Sequence, residues 1–504
     1  MAEDSVHKRL ARQASHYSVS SLFSLIAGMI TFPLLTRIFS IEDYGVMNLV
    51  AATLTVAVAV GKVGVQHSIL RYQSEIAAGK SRFTLKQLYA TTFFGMVGSA
   101  LFVMAGLLLV TGLVPAHRFN DPRLRGLLAI ASLLIVVQVV ESAVTNVLRA
   151  EQRTTTLMKY QVAKKYFGIA LIVFAVLVIS RSLTAFYTAS VIGETVALLF
   201  LTFSLFRAGD RPRPTLNGFS RPLYRELIAF GIPMMIGYEL SGIILSVGDR
   251  YVIEWLVGEK PLGLYAAAYN LCQYVQAVVI ASIGQAIMPI YMQMWDQKGP
   301  DETGAFISRS LRNYVLFGAP IIAGLASVGP ELLPSLASEK YASAAVILPW
   351  VIAGMVVDGT TAMLGAGLFI HRKTRIIMII VLSCAILNLG LNVILVPRLG
   401  IVGAAIATLI SYAAAAMALG AAGRKFLPVA IPWSTLLRAS AAAIIMYAAL
   451  YYICPGRRLL TIGVRLSIGV PVYAAVIALI DEDARAFMQN GLNWLRTKLG
   501  MSSP

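Results

Sequence analysis

Apolar residues run along the chain in blocks of about twenty, the length a helix needs to cross roughly 30 Å of hydrocarbon, separated by short charged or Pro/Gly-containing segments. The blocks fall at about 17–36, 45–69, 87–114, 125–148, 161–180, 184–206, 224–248, 262–289, 309–329, 342–370, 376–396, 400–421, 435–454 and 461–480. This pattern predicts an all-α polytopic membrane protein with about fourteen transmembrane helices. Lys8, Arg9 and Arg12 before the first block imitate a signal peptide, but no Ala-x-Ala site precedes Arg37 and the block is as long as a span. It reads as helix 1.

Of 504 residues, 58% are apolar and only 13% charged, well below the charged share of a soluble domain. A water-soluble enzyme is excluded. The net charge of +18 does not mark a nucleic-acid partner, because the basic residues are scattered loop by loop, as the positive-inside rule and anionic headgroups demand. With the N-terminus inside, 29 of the 42 Lys and Arg fall on cytoplasmic segments and 12 outside, the remaining one being Lys62 within a span. The expectation is a multi-pass protein of the cytoplasmic (inner) membrane with both termini in the cytoplasm.

An internal repeat shows at an offset of about 218. Ile38-Phe39-Ser40-Ile41-Glu42-Asp43-Tyr44-Gly45 lies on Leu256-Val257-Gly258-Glu259-Lys260-Pro261-Leu262-Gly263, each a tight outer turn opening a long helix. Leu183-Thr184-Ala185 and Leu399-Gly400-Ile401 give a weaker echo near the same offset. The expected organisation is a six-helix lobe over 1–207 and a cytoplasmic linker over 208–222, marked by Arg211-Pro212-Arg213-Pro214. A second six-helix lobe covers 223–423, and two further helices cover 424–482. An interfacial tail over 483–504 carries the apolar stripe Met488, Leu492, Leu495 and Leu499. Parallel repeats of this kind place a substrate path between two bundles.

Candidate chemistry lies in polar residues placed in the wrong solvent. Glu141, Glu194, Glu239, Asp358 and Lys62 sit inside predicted spans, where a charge costs about 2.5–3.5 kcal/mol even on the mild insertion scale. They must face protein or water. Lys62 shares a helix face with Asn48, Thr55 and Gln66, and helix 4 carries Gln138, Glu141, Ser142, Thr145 and Arg149. Helix 7 adds Glu239, Gly242, Ser246, Asp249 and Arg250, helix 8 adds Tyr265, Tyr269, Gln273 and Gln276, and helix 1 adds Ser20, Ser24, Gly28 and Thr31. These faces can converge on one hydrated chamber. Each also has a packing reading: small residues make helix seams, Asp249 and Arg250 pair locally, Gln273 and Gln276 bond a neighbouring helix, and Glu141 neutralises Lys62. Pro33 and Pro233 read as helix bends. Acids held in a membrane can exchange protons or bind sodium, which makes Glu141, Glu239 and Asp358 candidate ion-coupling residues.

Other chemistry is not offered. Cys272, Cys384 and Cys454 are far apart, so neither a disulfide framework nor a thiolate metal site is expected. The five histidines never approach His-x-x-x-His spacing, and Gly79-Lys80-Ser81 lacks the upstream glycine of a phosphate loop. No catalytic residue, cofactor or metal is expected. Asp481-Glu482-Asp483 matches the Asp-x-Asp of metal-dependent glycosyltransferases, but reads as an acidic first turn complementing the dipole of the last helix.

In order along the chain stand Pro33-Leu34-Leu35-Thr36-Arg37-Ile38-Phe39-Ser40, Asp43-Tyr44-Gly45, Gly64, Ile69-Leu70-Arg71-Tyr72, Asp249-Arg250-Tyr251-Val252-Ile253, Gly263-Leu264-Tyr265 and Gly400-Ile401-Val402-Gly403-Ala404-Ala405. Together they resemble the polysaccharide transporter (O-antigen flippase, Wzx-type) branch of the MOP flippase superfamily, over nearly the whole chain. The resemblance implies two six-helix lobes around a central cavity, often with two extra helices. It implies translocation of polyprenyl-pyrophosphate-linked oligosaccharides to the outer leaflet by alternating access, among membrane lipids and beside a polysaccharide polymerase or export complex. A pyrophosphate and sugars need a polar, cationic lumen, so Arg37, Lys62, Arg71, Arg149 and Arg250 are the candidate substrate-binding cations, with Gln273 beside them.

Competing readings within the superfamily are a lipid II flippase and a multidrug/cation antiporter. An antiporter is expected to use an acidic chamber, whereas this lumen mixes acids with bases. A membrane polysaccharide polymerase or glycosyltransferase is the reading from a different class. Polymerases of this pathway usually carry a large outer loop, and no predicted outer loop here reaches about 20 residues.

Overall fold

Inside a bilayer the backbone must satisfy its own hydrogen bonds, which leaves helices as the economical solution for apolar blocks of this length. The computed structural model describes residues 22–485 apart from 24, 78, 115–120, 152, 208–213, 278–280, 454–457 and 483, and the described residues form helices and no strand. Eleven helices among them are long and apolar enough to cross a membrane, or twelve if Arg221–Gly237 and Ser241–Val257 are one bent span. The protein is a multi-pass, all-α membrane protein. The predicted stripe Met488–Leu499, Cys454, Ser20, Ser24 and linker residues 208–213 lie outside the described residues.

The helices pack as two compact units, Met1–Gly263 and Leu264–Pro504. The first unit contains α1 (Leu25–Ile38), α2 (Ile41–Lys62), α3 (Val65–Ala77), α4 (Leu85–Leu113), α5 (Leu124–Ala150), α6 (Thr154–Phe174), α7 (Leu183–Arg207), α8 (Arg221–Met234) and α9 (Ser241–Val257). The α4–α5 and α6–α7 pairs are hairpins, α2 packs on α4, α5 and α9, and α3 packs on α8. The residues of the seventh predicted block fall within the first unit. Ser40 starts α2 as its N-cap, accepting the Asp43 backbone N–H at 2.9 Å. Arg123, at the start of α5, holds both Asp43 at 2.9 Å and Asp121 at 2.7 Å, fixing that turn.

The chain continues through α10 (Glu259–Val275) into the second unit, with α11 (Ala281–Leu336), two helices joined at a kink where Gly299 takes φ 82, the short helices α12 (Leu348–Asp358), α13 (Thr361–Leu364) and α14 (Ala366–Ile370), then α15 (Thr374–Leu399), α16 (Ile401–Gly423), α17 (Trp433–Tyr451) and α18 (Arg458–Ile480). Lipid tails provide no hydrophobic drive between helices, so close packing of small residues substitutes for it. On α16, Gly403, Ala407 and Ser411 recur every fourth residue on a buried face, and this helix packs on α12 and α15. The last two helices, α17 and α18, pack on each other and on α11. Large apolar side chains such as Phe102, Phe200 and Leu479 remain exposed, as lipid-facing positions require.

Two predicted spans are broken. The block at 45–69 was expected as one helix, but Val63 (φ 51) and Gly64 (φ 69) enter the left-handed region and separate α2 from α3. A Cβ on Gly64 would stand 2.0 Å from the Gly231 carbonyl oxygen, so glycine is needed for α3 to dock on α8. The block at 224–248 is interrupted after Pro233, which removes a helical donor. Met235–Leu240 forms a π-turn, and the helices on either side bend by 49°.

Candidate functional site

The two breaks bring a polar group together. Lys62, the last residue of α2, places its Nζ 3.5 Å from Glu239 Oε1 in the π-turn before α9. From the first turn of α3, Gln66 donates its amide to Glu239 Oε2, and His67 Nε2 lies 3.3 Å from the same oxygen. Below them Ser68 donates to the Leu227 carbonyl at 2.8 Å, fastening α3 to α8. The side chains of Lys62, His67 and Glu239 are 23%, 29% and 20% exposed, so the group is neither sealed nor solvated freely. One carboxylate is shared among an ammonium, an amide and an imidazole. Such a set can exchange the carboxylate for another anion without stranding a bare charge, and discontinuous helices are where transporters build substrate sites.

A second group forms among α5, α6 and α7. Lys164 Nζ lies 2.5 Å from Glu141 Oε2 and 3.4 Å from Glu194 Oε2, and Gln138 donates to Glu194 Oε1 at 3.3 Å. The sequence offered Glu141 as the partner of Lys62; the structure pairs Lys62 with Glu239 and Glu141 with Lys164. Lys164 lies inside the predicted block 161–180 and inside α6, but nothing along one helix signals its partners on α5 and α7. Within the first unit the polar faces on α2, α5 and the π-turn before α9 supply these two groups.

The other nominated residues are placed as follows. Arg37 is exposed on α1. Arg71 is exposed on α3, ion-paired with Glu75 at 2.9 Å and lying 5.0 Å over the Phe230 ring. Arg149 is exposed at the end of α5 and donates to Asn146 Oδ1 at 3.3 Å. Arg250 is buried in α9 and donates to its own helix at the Ser246 carbonyl, 3.1 Å away, with Asp249 at 3.9 Å. In the second unit Gln273 is exposed on α10 and Asp358 is partly buried at the end of α12. Tyr265 and Tyr269 are fully buried, with ring centroids 5.6 Å apart.

Asp481 of the Asp-x-Asp motif is occupied with structure. Its carboxylate lies 3.1 Å from Arg312 and 3.4 Å from Arg438 and accepts the Ala484 backbone N–H at 2.9 Å. Burial pushes this carboxyl up, but the capping N–H and the two guanidiniums outweigh it and hold the group below its ordinary range. Among the described residues no group of three or more His, Cys, Asp or Glu is gathered to hold a metal.

The chain belongs to the polysaccharide biosynthesis protein family, whose sequence model matches residues 34–346. It is similar to the succinoglycan biosynthesis transport protein ExoT of Rhizobium meliloti, with 21% identity over 65% of this chain and 61% of that protein. It is also similar to the probable low-salt glycan biosynthesis flippase Agl15 of Haloferax volcanii, with 23% identity over 36% of this chain and 39% of that one. The matches thus span less than two thirds of either relative. Among solved structures, the lipid II flippase MurJ in an inward closed conformation matches 93% of this chain and 99% of its own, with a TM-score of 0.75 and 15% identity. The fold is that of the flippase and transporter structures it matches.

Proposed function

We propose that this protein translocates polyprenyl-pyrophosphate-linked oligosaccharides across the cytoplasmic membrane for surface polysaccharide synthesis, by alternating access. The observation that carries the reading is the Lys62–Glu239 pair, held with Gln66 and His67 where two membrane helices break. A pyrophosphate entering there takes Lys62 from Glu239, and Gln66 and His67 remain to hold the released carboxylate or a sugar hydroxyl. Membership of a polysaccharide biosynthesis family and the transport and flippase names of its relatives support the substrate class. The exposed Arg37, Arg71, Arg149 and Gln273 are proposed as secondary contacts along the path; Arg250 is engaged with its own helix. The termini are assigned to the cytoplasm, and a polysaccharide polymerase or export complex is the proposed receiver of the product.

Coupling to an ion gradient is assigned to the membrane acids. Glu141 is the strongest candidate, because it shares one lysine with Glu194 and a proton or sodium ion can replace that lysine between two carboxylates. Glu239 and Asp358 are the other candidates. The deciding experiment for the substrate is deletion followed by analysis of the lipid-linked glycan that accumulates: a cytoplasmic-side, pyrophosphate-linked repeat unit supports the reading, and unchanged lipid-linked glycan pools with normal surface polysaccharide contradict it.

A further inference from the structure

We propose that the cavity at the start of α8 holds the phosphate headgroup of an anionic phospholipid drawn from the surrounding bilayer. The cavity, of about 860 Å³, is lined by three arginines, Arg82, Arg221 and Arg225, and by a single acid, Glu226. Arg82 takes Glu226 at 2.5 Å, and the Tyr72 hydroxyl donates to the other Glu226 oxygen at 3.4 Å. That acid is therefore spent. Arg221 and Arg225 have no carboxylate partner among the described residues, and both lie in the first turns of a fourteen-residue helix whose N-terminal end is itself positive.

The guanidiniums project from a fixed base. The Ser220 backbone N–H donates to Thr91 Oγ1 at 2.9 Å, the Tyr224 hydroxyl donates to the Gly95 carbonyl at 3.2 Å, and Leu223 and Leu227 are fully buried. Gly95 makes room for this: a Cβ there would stand 2.3 Å from the Tyr224 ring. The first turn of α8 is thus pinned on α4, and little side-chain support has to be assembled when an anion arrives.

The lining also says which source of phosphate fits. Pro222, Ile228 and Ala229 make an apolar wall beside the arginines. The volume is many times the roughly 30 Å³ share of one water, far more than a free phosphate fills, and it has one charged end and one greasy side. It opens beside the first turn of α8, where the bent candidate span Arg221–Gly237 and Ser241–Val257 begins, and basic pockets between membrane helices are recognised lipid sites. The site shares no residue with the Lys62–Glu239 group and does not depend on the transport reading.

The test uses the full-length chain purified in neutral detergent, with phosphatidylglycerol and phosphatidylcholine as probes, read by native mass spectrometry and by thermal unfolding. Wild type is expected to retain phosphatidylglycerol in preference to phosphatidylcholine and to melt higher with it. Arg221→Gln/Arg225→Gln should lower phosphatidylglycerol affinity about tenfold or more and lose the melting shift, while Arg424→Gln/Lys425→Gln, which removes equal charge elsewhere, retains both. Equal phosphatidylglycerol retention by wild type and the Arg221/Arg225 variant would overturn the site. Displacement of the lipid by an equal concentration of inorganic pyrophosphate would overturn the lipid as its occupant, since the apolar wall would then contribute nothing.

Discussion

Gly45 and Gly263, 218 residues apart, meet in one helix crossing: a Cβ on Gly45 would stand 2.2 Å from the Glu259 carbonyl oxygen, and a Cβ on Gly263 would stand 1.9 Å from that of Ile41. Ile41 and Glu259 are separated by the same 218 residues, so the contact is reciprocal under the repeat. The internal repeat, visible in sequence as two similar turns, is here a local two-fold contact between the starts of α2 and α10.

Neither glycine can gain a methyl group without parting these backbones, since both clashes are with carbonyls rather than flexible side-chain ends. Overpacking of this kind costs about 1–3 kcal/mol. Gly45→Ala and Gly263→Ala should each loosen the crossing and expose Met47, which is buried on α2. A cysteine at position 47, in a chain whose native cysteines have been replaced, should then react several-fold faster with a membrane-impermeant maleimide. Unchanged labelling in both alanine variants would show that the crossing does not limit access to α2.

Asp481 ties α11, α17 and α18 through Arg312, Arg438 and the Ala484 N–H. Replacing it by Asn removes the negative charge that the half-buried Arg312 and the exposed Arg438 face, a loss of about 1 kcal/mol, and should lower the melting temperature. The carboxyl is held below its ordinary value of 3.8. Its stabilisation is therefore complete above that value and fades as the pH falls through the depressed one. Wild type should lose this part of its stability in acid while Asp481→Asn does not; equal acid sensitivity would remove Asp481 as the tether.

If Glu141 couples an ion, transport in vesicles should respond to an imposed proton or sodium gradient, and Glu141→Gln should abolish the response while the protein remains folded. Indifference of wild type to both gradients would return Glu141, Glu239 and Asp358 to structural roles.

The fold class was legible because block length and loop charge are written residue by residue in the chain. Helix breaks were less legible. Val63 is an ordinary apolar residue in sequence, and its left-handed conformation follows from α3 docking on Gly231, a contact made 168 residues away. The same limit applied to the site: Lys62 was recognisable as a cation in the wrong solvent, but its partner Glu239 depends on how α2 lies against the π-turn. Lys164 lies within the predicted block 161–180, but its pairing with Glu141 and Glu194 depends on how α5, α6 and α7 pack. Spacing along one helix was readable; pairing between helices was not.

The most direct measurement is transbilayer movement of a polyprenyl-pyrophosphate-linked oligosaccharide in proteoliposomes containing wild type, Lys62→Ala, Lys62→Arg or Lys62→Ala/Glu239→Gln. The proposed role of Lys62 as the pyrophosphate contact predicts rapid movement by wild type and a loss of about tenfold or more in Lys62→Ala, the scale of one hydrogen bond to a charged group. It also predicts partial activity in Lys62→Arg and no rescue by removing the Glu239 charge. Movement by Lys62→Ala at the wild-type rate would contradict that role, and failure of wild type to move the glycolipid faster than protein-free vesicles would contradict the function itself.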